Sequence, residues 1–290
     1  MFQKKGKLFI LAVLFLVLLS LYNPGHKPAI APLKEGEMRV HFLDVGQGDS
    51  ILVELPNQEK LLVDGGNRKA GSGVVRYLRA LRIDRLDYVV ATHPHEDHIG
   101  GLIDVFERIP VGRVYMPKVV HTSQTYQTFL KTVVSKGHKF QRARSGVIIT
   151  EGQQLKASFL APVGENYESL NDYSAVVKLE YKNIGIILMG DAERTSEGEI
   201  DTTQTRAHVL KVGHHGSGTS TSPVFLENVN PAYAIVSVGE GNDYGHPHAE
   251  TLQLLEEAGV TVMRTDLLGT IVLSTDGREI VFTSSRGGGI

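Results

Sequence analysis

The sequence predicts an α+β protein in which two β-sheets pack face to face with helices on their outer sides, an αββα sandwich. Three observations lead to this fold class. From Met38 onward, short apolar runs broken by Gly, Pro and Asn alternate with amphipathic segments. The second half of this stretch shows the same pattern as the first, in which predicted strands are followed by predicted helices. The hydrophobic content of 41% and the charged content of 21% are ordinary for a globular protein.

The first half of the domain begins with a predicted meander of three strands and continues with alternating helices and strands. The predicted strands cover residues 38–46, 50–56, 60–66, 86–93 and 111–117. The predicted helices cover residues 71–83, 98–109 and 123–137. The first of these helices is amphipathic, because Val74, Leu78 and Leu81 fall on one face.

The second half is richer in strands. Its predicted strands cover residues 147–152, 155–162, 174–183, 184–191, 207–215, 232–239, 261–266, 269–277 and 279–285. Its predicted helices cover residues 222–229 and 248–259. A short polar segment, 192–207, and the polar C-terminal tail, 284–290, carry no predicted helix.

The N-terminus differs from the rest of the chain. Lys4, Lys5 and Lys7 precede fifteen mostly apolar residues, 8–22, a pattern typical of a secretory signal peptide. We predict a signal peptide or membrane anchor over residues 1–25, a Pro-containing linker over 26–37, and one globular domain over 38–285. Because the positive end of such a segment stays in the cytoplasm, we expect the domain to be extracellular or anchored on the outer side of the cytoplasmic membrane.

Composition excludes several kinds of site. The chain has no cysteine, which rules out disulfides, Cys-ligated zinc and thiol catalysis. Without the four lysines of residues 1–32, its 30 basic residues fall to 26 against 32 acidic residues, a formal charge of −6. The composition therefore does not predict a strongly cationic nucleic-acid-binding surface.

The segment "THPHEDHIGG" carries the clearest chemical signal. His93, His95, Asp97 and His98 lie at a predicted strand-to-helix junction. His93 and His95 are two residues apart, so both can face one cation, whereas Asp97 and His98 diverge from them and can hold a second cation nearby. Imidazole and carboxylate ligands suit zinc, manganese or iron rather than calcium. This segment therefore predicts a metal site.

Further polar residues follow predicted strands elsewhere in the chain. Asp191 follows an apolar run, the pair His214 and His215 follows another, and Asp64 ends a third. Each of these residues alone is as well explained as a cap or turn residue. Together, however, they share one feature: each follows a buried strand and is therefore expected at an edge of the predicted sandwich.

Three other polar features are less specific. His246, in "GHPH", is a candidate contact for a phosphate, or simply part of a loop before a helix. In "DVGQGDS", Asp49 is a candidate for orienting the histidines of "HHGS". Loop cations, including Lys69, could flank a phosphodiester, although each alone also suits a solvated surface.

The motif "HPHEDH" matches the H-x-H-x-D-H signature of the metallo-β-lactamase superfamily, and Asp64 and Asp191 fall at that superfamily's other acidic positions. Over residues 38–283, the chain also resembles the C-terminal extracellular domain of the ComEC/Rec2 family of DNA-uptake channel proteins. The resemblance does not include a channel, so we expect a free-standing relative of that domain. It is carried, in order along the chain, by "HFLDVGQGDSILVE", "LLVDGG", "THPHEDHIGGL", "NDYSAVVKL", "ILMGDAE", "VLKVGHHGSGTST", "VSVGEGNDYGHPHAETL" and "LLGTIVLSTDG".

The resemblance implies a site for two divalent metal ions, zinc or manganese. His93 and His95 would hold the first ion, Asp97 and His98 the second, and Asp191 would bridge them. One histidine of "HHGS" would complete the second site. We favour His215, with His214 as a substrate contact, but the reverse assignment stays open.

The resemblance also implies supporting residues. Asp64 would orient a ligand histidine, and Asp49 and Ser217 would support the site or contact substrate. A histidine that usually completes the first metal site in the wider superfamily is absent, and Asn171 and Ser174 are the polar residues of that region. The first metal site is therefore expected to be open or weak.

The implied reaction is hydrolysis by a hydroxide that the metals activate and Asp97 positions, with His214 and His246 contacting the substrate. The ComEC-like pattern favours a phosphodiester substrate, most concretely DNA, together with the membrane and a DNA-uptake channel as partners. One alternative is a hydrolase of the same fold that acts on esters, thioesters or lactams. The other is a non-catalytic binding module. The sequence does not predict an oligomeric state.

Overall fold

The computed structural model describes residues 32–289. The predicted signal or anchor segment, residues 1–25, and the first part of the predicted linker lie outside the described residues, so the predicted domain boundaries stay predictions. Among the helices of residues 32–289, none is long and apolar enough to cross a membrane.

Sixteen strands run through residues 32–289. In chain order they are β1 Met38–Phe42, β2 Ile51–Glu54, β3 Lys60–Val63, β4 Leu86–Val90, β5 Val111–Met116, β6 Phe140–Arg142, β7 Ile148–Gly152, β8 Leu155–Ala161, β9 Val176–Tyr181, β10 Ile184–Leu188, β11 Val209–Lys211, β12 Tyr233–Val236, β13 Thr261–Arg264, β14 Ile271–Thr275, β15 Ile280–Ser284 and β16 Gly288–Gly289.

The same part of the chain has eight α-helices and three short 3-10 turns. The α-helices are α1 Gly71–Ala80, α2 Glu96–Ile99, α3 Leu102–Arg108, α4 Gln124–Ser135, α5 Arg194–Glu199, α6 Pro223–Val229, α7 Ala249–Glu257 and α8 Thr265–Leu268. The 3-10 turns are Asn171–Tyr173, Thr202–Gln204 and Gly213–Gly216.

The strands form two sheets. The first has nine strands in the order β16-β15-β14-β1-β2-β3-β4-β5-β6, and the second has seven in the order β13-β12-β11-β10-β9-β8-β7. Their facing sides share one apolar core, with contributions such as Phe42, Leu61, Phe159 and Ile186. The αββα sandwich predicted from the sequence is confirmed.

Helices cover the outer sides of both sheets. Helices α1 to α4 pack on the first sheet through residues such as Leu78, Ile103 and Phe129. Helices α6 and α7 pack on the second sheet through residues such as Phe225 and Leu255. This arrangement explains why the central strands are apolar on both faces: each is buried between the other sheet and a helical layer.

The structure departs from the predicted elements in a few places. The predicted helix 98–109 is divided: α2 ends at Ile99 and α3 begins at Leu102, with Gly100 and Gly101 between them. A Cβ on Gly101 would lie only 1.9 Å from the carbonyl oxygen of Gly65, so the close approach to the first sheet requires glycine there. The polar segment 192–207 contains helix α5, and strands β6 and β16 were not predicted.

Candidate metal centre

The polar residues predicted as site residues follow the carboxyl ends of parallel strands. Strands β3 and β4 run parallel in the first sheet, and β10 and β11 run parallel in the second. Asp64 follows β3, the "THPHEDH" segment follows β4, Asp191 follows β10 and His215 follows β11. Parallel strands bring the residues after them to one edge, so the two sheets contribute to one site between their ends.

One cluster joins Asp97, His98, Asp191 and His215, whose candidate ligand atoms all lie within 4.8 Å of one another. The Nε2 atom of His98 is 3.2 Å from Asp191 Oδ2 and 3.7 Å from Asp97 Oδ2. The Nε2 atom of His215 is 3.3 Å from Asp97 Oδ2 and 3.5 Å from Asp191 Oδ1. Two imidazoles and two carboxylates thus converge on one small space.

A second cluster joins His93, His95 and Asp191. The Nε2 atom of His93 is 3.0 Å from His95 Nδ1 and 3.6 Å from Asp191 Oδ2. Asp191 belongs to both clusters, and its two oxygens face different members of the first. The geometry therefore suits two neighbouring cations that share one carboxylate.

Hydrogen bonds on the far side of the imidazole rings fix their orientation. The Nδ1–H of His98 donates to Asp64 Oδ2 over 2.8 Å, and that of His93 donates to the Thr92 hydroxyl over 3.1 Å. Thr92 in turn donates its hydroxyl to Asp64 Oδ2 over 2.6 Å and its backbone N–H to Asp64 Oδ1 over 2.8 Å. Each bond leaves the Nε2 lone pair directed at the cluster, which is how proteins hold metal-binding histidines.

His215 is supported in the same way by the second sheet. Its Nδ1–H donates to the carbonyl oxygen of Ser237 over 2.9 Å. Asp49 Oδ1 lies 3.6 Å from the same nitrogen, and Asp49 Oδ2 lies 3.0 Å from the Nζ atom of Lys211. Lys211 and Asp49 are 0% and 1% exposed, so they form a buried ion pair directly behind a candidate metal-binding imidazole.

The backbone around the site adopts conformations that side chains normally avoid. Asp64, His214 and His215 have φ angles of 59°, 47° and 54°, in the left-handed region. Two consecutive non-glycine residues in that region cost conformational free energy, which tertiary contacts must offset. Gly48, with φ 131°, is required for a different reason: a Cβ there would lie 2.2 Å from the carbonyl oxygen of Asp97.

Burial and charge shift the pKa values of the cluster in opposite directions. Burial holds the pKa of His93 well below its usual range, and repulsion from His98 adds to the effect. Burial alone would also lower the pKa of His98, but the carboxylates of Asp191, Asp97 and Asp64 raise it well above the usual value. Burial alone would raise the pKa of Asp191, but the imidazoles of His215 and His98 hold it well below its usual range. The carboxylates thus create a negative electrostatic potential that stabilises positive charge within the cluster.

The donor atoms fit divalent metal ions. Within residues 32–289, the buried atoms His98 Nε2, Asp191 Oδ1 and His215 Nε2 have no hydrogen-bond partner. Unpaired buried polar atoms are costly and uncommon, and here they face one another. Imidazole nitrogen with carboxylate oxygen is a donor set typical of zinc, manganese and iron. The cluster is therefore suited to two metal ions.

The cluster forms the floor of a cavity of about 560 Å³. Asp97, which is partly exposed, presents its carboxylate to this space, and His95 and His121 line one side. His214, His246 and Tyr244 line another side. The ring of Tyr244 stacks on His246 with 5.7 Å between centroids.

His214 lies at the edge of the cluster rather than within it. Its Nε2 atom is 3.9 Å from Asp191 Oδ2, while its Nδ1 atom is 3.2 Å from Glu193 Oε1. The amide of Asn171 donates to Glu193 Oε1 over 3.3 Å and lies 3.4 Å from both ring nitrogens of His214. Of the two adjacent histidines, His215 thus enters the metal cluster and His214 faces the cavity.

The remaining predicted residues have supporting positions. The hydroxyl of Ser174 accepts a hydrogen bond from the backbone N–H of Asp191 over 3.1 Å. The hydroxyl of Ser217 hydrogen bonds to that of Thr219 over 3.1 Å, within the loop after His215. Among the described residues, the buried Nδ1 atom of His246 has no hydrogen-bond partner. Burial, together with repulsion from His214 and His215, lowers the pKa of His246 to about 4.

Sequence reasoning missed several residues that shape the site. Thr92 was not singled out, although it directly precedes His93 and connects it with Asp64. Lys211 was also missed, and the available signal was a lysine inside the apolar run "AHVLKVG". Glu193 and Tyr244 are ordinary surface types in the sequence, and only their proximity to His214 and His246 gives them a place in the site.

Comparison with known proteins agrees with this geometry. The sequence profile of the metallo-beta-lactamase superfamily matches residues 43–240. This chain belongs to that superfamily. It therefore carries a hydrolase fold, and its His/Asp cluster occupies the strand ends of a metallo-β-lactamase sandwich.

Two relatives match most of the chain. The chain is 32% identical over 261 residues to "ComE operon protein 3" of Bacillus subtilis, which covers 83% of the chain and 34% of the relative. It is 30% identical over 250 residues to "Competence protein ComA" of Neisseria gonorrhoeae, which covers 85% of the chain and 33% of the relative. The chain thus spans about a third of the length of each of these relatives.

A solved structure shows the same fold at low sequence identity. The diiron β-hydroxylase CmlA of Streptomyces venezuelae superposes with a TM-score of 0.54 at 15% identity, over 84% of this chain and 55% of that chain. CmlA is a hydroxylase, so the fold by itself does not specify the reaction.

Proposed function

We propose that this chain is a metal-dependent phosphodiesterase that cleaves DNA outside the cytoplasmic membrane, in the service of DNA uptake. The observation that carries the proposal is the cluster of unpaired imidazole and carboxylate atoms on the floor of an open cavity. The likeness to competence proteins over more than four fifths of the chain supports a nucleic-acid substrate. The membrane, through the N-terminal segment, and a DNA-uptake channel are the proposed partners.

We propose that His93, His95 and Asp191 hold one zinc or manganese ion, and that Asp97, His98, Asp191 and His215 hold the other. When bound, such a pair of ions lowers the pKa of a water molecule and stabilises negative charge on a phosphate. Asp64, Asp49 and Thr92 keep the imidazoles in the required orientation through the hydrogen bonds and contacts described above.

Asp97 has the position of a proton acceptor. It is partly exposed to the cavity, while its Oδ2 atom stays within 3.3–3.7 Å of two buried imidazoles. Burial alone would raise its pKa, but the neighbouring His98 and His215 hold it below the usual range, so the carboxylate is ionised at neutral pH. In the proposed reaction it orients the attacking water and accepts its proton as the new P–O bond forms, and it passes that proton to the leaving oxygen as the P–O bond to that oxygen breaks.

His214 and His246 have the position of substrate contacts. Both line the cavity that His95 also lines, and their ring centroids are 5.4 Å apart. The lowered pKa of His246 keeps its ring neutral at physiological pH, so it can donate one hydrogen bond to a phosphate oxygen without carrying charge. Asn171 and Glu193 fix the ring of His214 from behind.

The test uses the full 290-residue chain with bis(p-nitrophenyl) phosphate and linear DNA as substrates, together with elemental analysis of the purified protein. We expect bound divalent metal, hydrolysis of both substrates, and loss of activity in EDTA. The substitution Asp97→Asn is expected to lower kcat by about 10²–10⁴-fold, the usual contribution of a positioned acid–base group. Asp84→Asn, in the exposed loop before β4, is the control for loss of one carboxylate.

Three results would contradict the proposal. Full activity of Asp97→Asn would remove the assigned role of that residue. Hydrolysis of a lactam or thioester without hydrolysis of phosphodiesters would favour a different hydrolase of the same fold. A protein that folds, binds no metal and hydrolyses nothing would favour a binding module.

A further inference from the structure

A second cavity, of about 390 Å³, adjoins the 560 Å³ cavity above the His/Asp cluster, which we call the metal cavity. One of its walls is a face of helix α1 that includes Gly73 and Tyr77, and the opposite wall includes Asp44 and Thr270. Asn67 lines both cavities, so the two spaces meet at this residue. We call the second cavity the α1 groove.

The α1 groove carries cations that are free to bind a ligand. Lys69 and Arg76 are exposed and line the groove. Arg76 donates a hydrogen bond to the Ser72 hydroxyl over 3.3 Å, and within residues 32–289 no ion pair involves either cation. The one carboxylate in the lining belongs to Asp44, which is paired with Arg286 over 2.9 Å. The groove is therefore locally positive, although the domain as a whole carries excess negative charge.

The junction between the two cavities is held in a fixed shape. The side-chain oxygen of Asn67 accepts hydrogen bonds from the backbone N–H groups of Lys69 and Ala70, each over 3.0 Å. This turn sets the start of Lys69 directly beside the metal cavity. A cation held at that point can contact a group that extends out of the metal cavity.

The wall of the groove includes the half-buried aromatic ring of Tyr77. The hydroxyl of Tyr77 hydrogen bonds to the buried His41 ring over 2.9 Å, which fixes the ring of Tyr77. Gly73 leaves space one turn away, because a Cβ there would meet only the end of Arg76 at 3.6 Å. Cations beside a fixed aromatic ring are the elements with which proteins hold the phosphates and bases of a single strand.

We propose that the α1 groove binds the part of a polynucleotide single strand that flanks the scissile phosphate. This inference rests on the proposed function and names the form of its substrate. Lys69 and Arg76 contact phosphates beyond the one in the metal cavity, and Tyr77 lies against a base or sugar. Contacts of this kind increase affinity with strand length and make it dependent on salt.

The test measures binding separately from hydrolysis. A fluorescent 20-nucleotide strand, as DNA or as RNA, is titrated with the full chain in EDTA at several salt concentrations, and anisotropy gives Kd. We expect Lys69→Ala/Arg76→Ala to raise Kd about tenfold at low salt, the effect of losing two exposed ionic contacts. The slope of log Kd against log salt should fall by about 1.4 for two lost single-strand phosphate contacts. A dinucleotide should show a much smaller change.

The matched control is Lys136→Ala/Arg278→Ala, which removes one exposed lysine and one exposed arginine elsewhere. Because the chain contains no cysteine, Gly73→Cys also provides a single thiol for a photo-crosslinker in the groove, and Ser135→Cys provides its control. We expect crosslinks to the strand from position 73 and not from position 135.

The inference is overturned if the groove variant and the control variant bind the 20-nucleotide strand with equal Kd and equal salt slope, or if the native chain does not bind the strand. Failure of the proposed phosphodiesterase activity would instead appear as absence of hydrolysis of every phosphodiester, small or large. Since binding is measured in EDTA, the two failures are distinguishable. Equal effects on DNA and RNA identify the shared phosphodiester chain as the ligand, and an effect on one alone identifies which strand the groove selects.

Discussion

Replacing Lys211 by methionine is expected to destabilise the protein strongly. Lys211 is fully buried at the end of β11, and its Nζ atom lies 3.0 Å from Asp49 Oδ2. It also donates to the carbonyl oxygen of Val212 over 2.8 Å. Methionine fills a similar volume but leaves the 1% exposed carboxylate of Asp49 without its partner.

Removing one member of a buried ion pair typically costs about 3–5 kcal/mol, because the other charge stays buried. For a domain of this size, each kcal/mol lowers Tm by about 2–4 °C, so Lys211→Met should lower Tm by about 6–20 °C. Replacing both residues, as Lys211→Met/Asp49→Leu, removes the unpaired charge. We expect the double variant to recover at least half of the lost free energy of unfolding.

Urea denaturation in EDTA measures these free energies without the contribution of bound metal. A cost below about 1 kcal/mol for Lys211→Met, the value of an exposed pair, would refute the reasoning. So would a double variant less stable than either single variant. Metal titration provides a second readout: Asp49 lies 3.6 Å from His215 Nδ1, and we expect Lys211→Met to weaken metal binding as well.

Three further outcomes are expected. Asp64→Asn keeps the shape of the residue but loses the charge that orients His98, and should weaken metal affinity about 10–100-fold by titration. Gly48→Ala should cost about 1–3 kcal/mol in urea denaturation and disturb metal binding, because its Cβ displaces the backbone of Asp97; unchanged stability would contradict this. Burial lowers the pKa of His41 in the folded state, so protons bind the unfolded chain preferentially and stability falls as pH drops below about 6.5. His41→Gln should reduce that fall by up to about 1.4 kcal/mol per pH unit, measured by denaturation at pH 7.5, 6.5 and 5.5.

Much of the fold was predictable because the apolar and polar pattern of each segment matches the burial of that segment in the folded protein. The central strands are apolar runs bounded by Gly, Pro or Asp, and the confirmed sandwich buries them on both faces. The metal cluster was predictable for a related reason. His93, His95, Asp97 and His98 are close in sequence, and Asp191 and His215 follow buried strands that end at the same edge.

The features that were not predicted depend on contacts between distant segments. Strand β11 alternates, so Val209 faces the core between the sheets and Lys211 shares that direction at the end of the strand. The sequence shows the lysine, but its partner Asp49 lies in the loop between β1 and β2 of the other sheet. The need for glycine at position 101 similarly depends on Gly65, whose carbonyl oxygen would lie 1.9 Å from a Cβ there. Periodicity within one segment carries no information about such partners.

Because the residues of the cluster come from both sheets, metal binding and docking of the sheets are expected to occur in a fixed order. His93, Asp97 and His98 follow a strand of the first sheet, whereas Asp191 and His215 follow strands of the second. While the sheets are apart, each of the two proposed metal sites has at most two of its ligands, so we expect the ions to bind tightly only after the two sheets have docked. Metal uptake is thus expected to be a late event in folding, and shortage of the ion would delay the last step of maturation while leaving the earlier collapse of the chain unchanged.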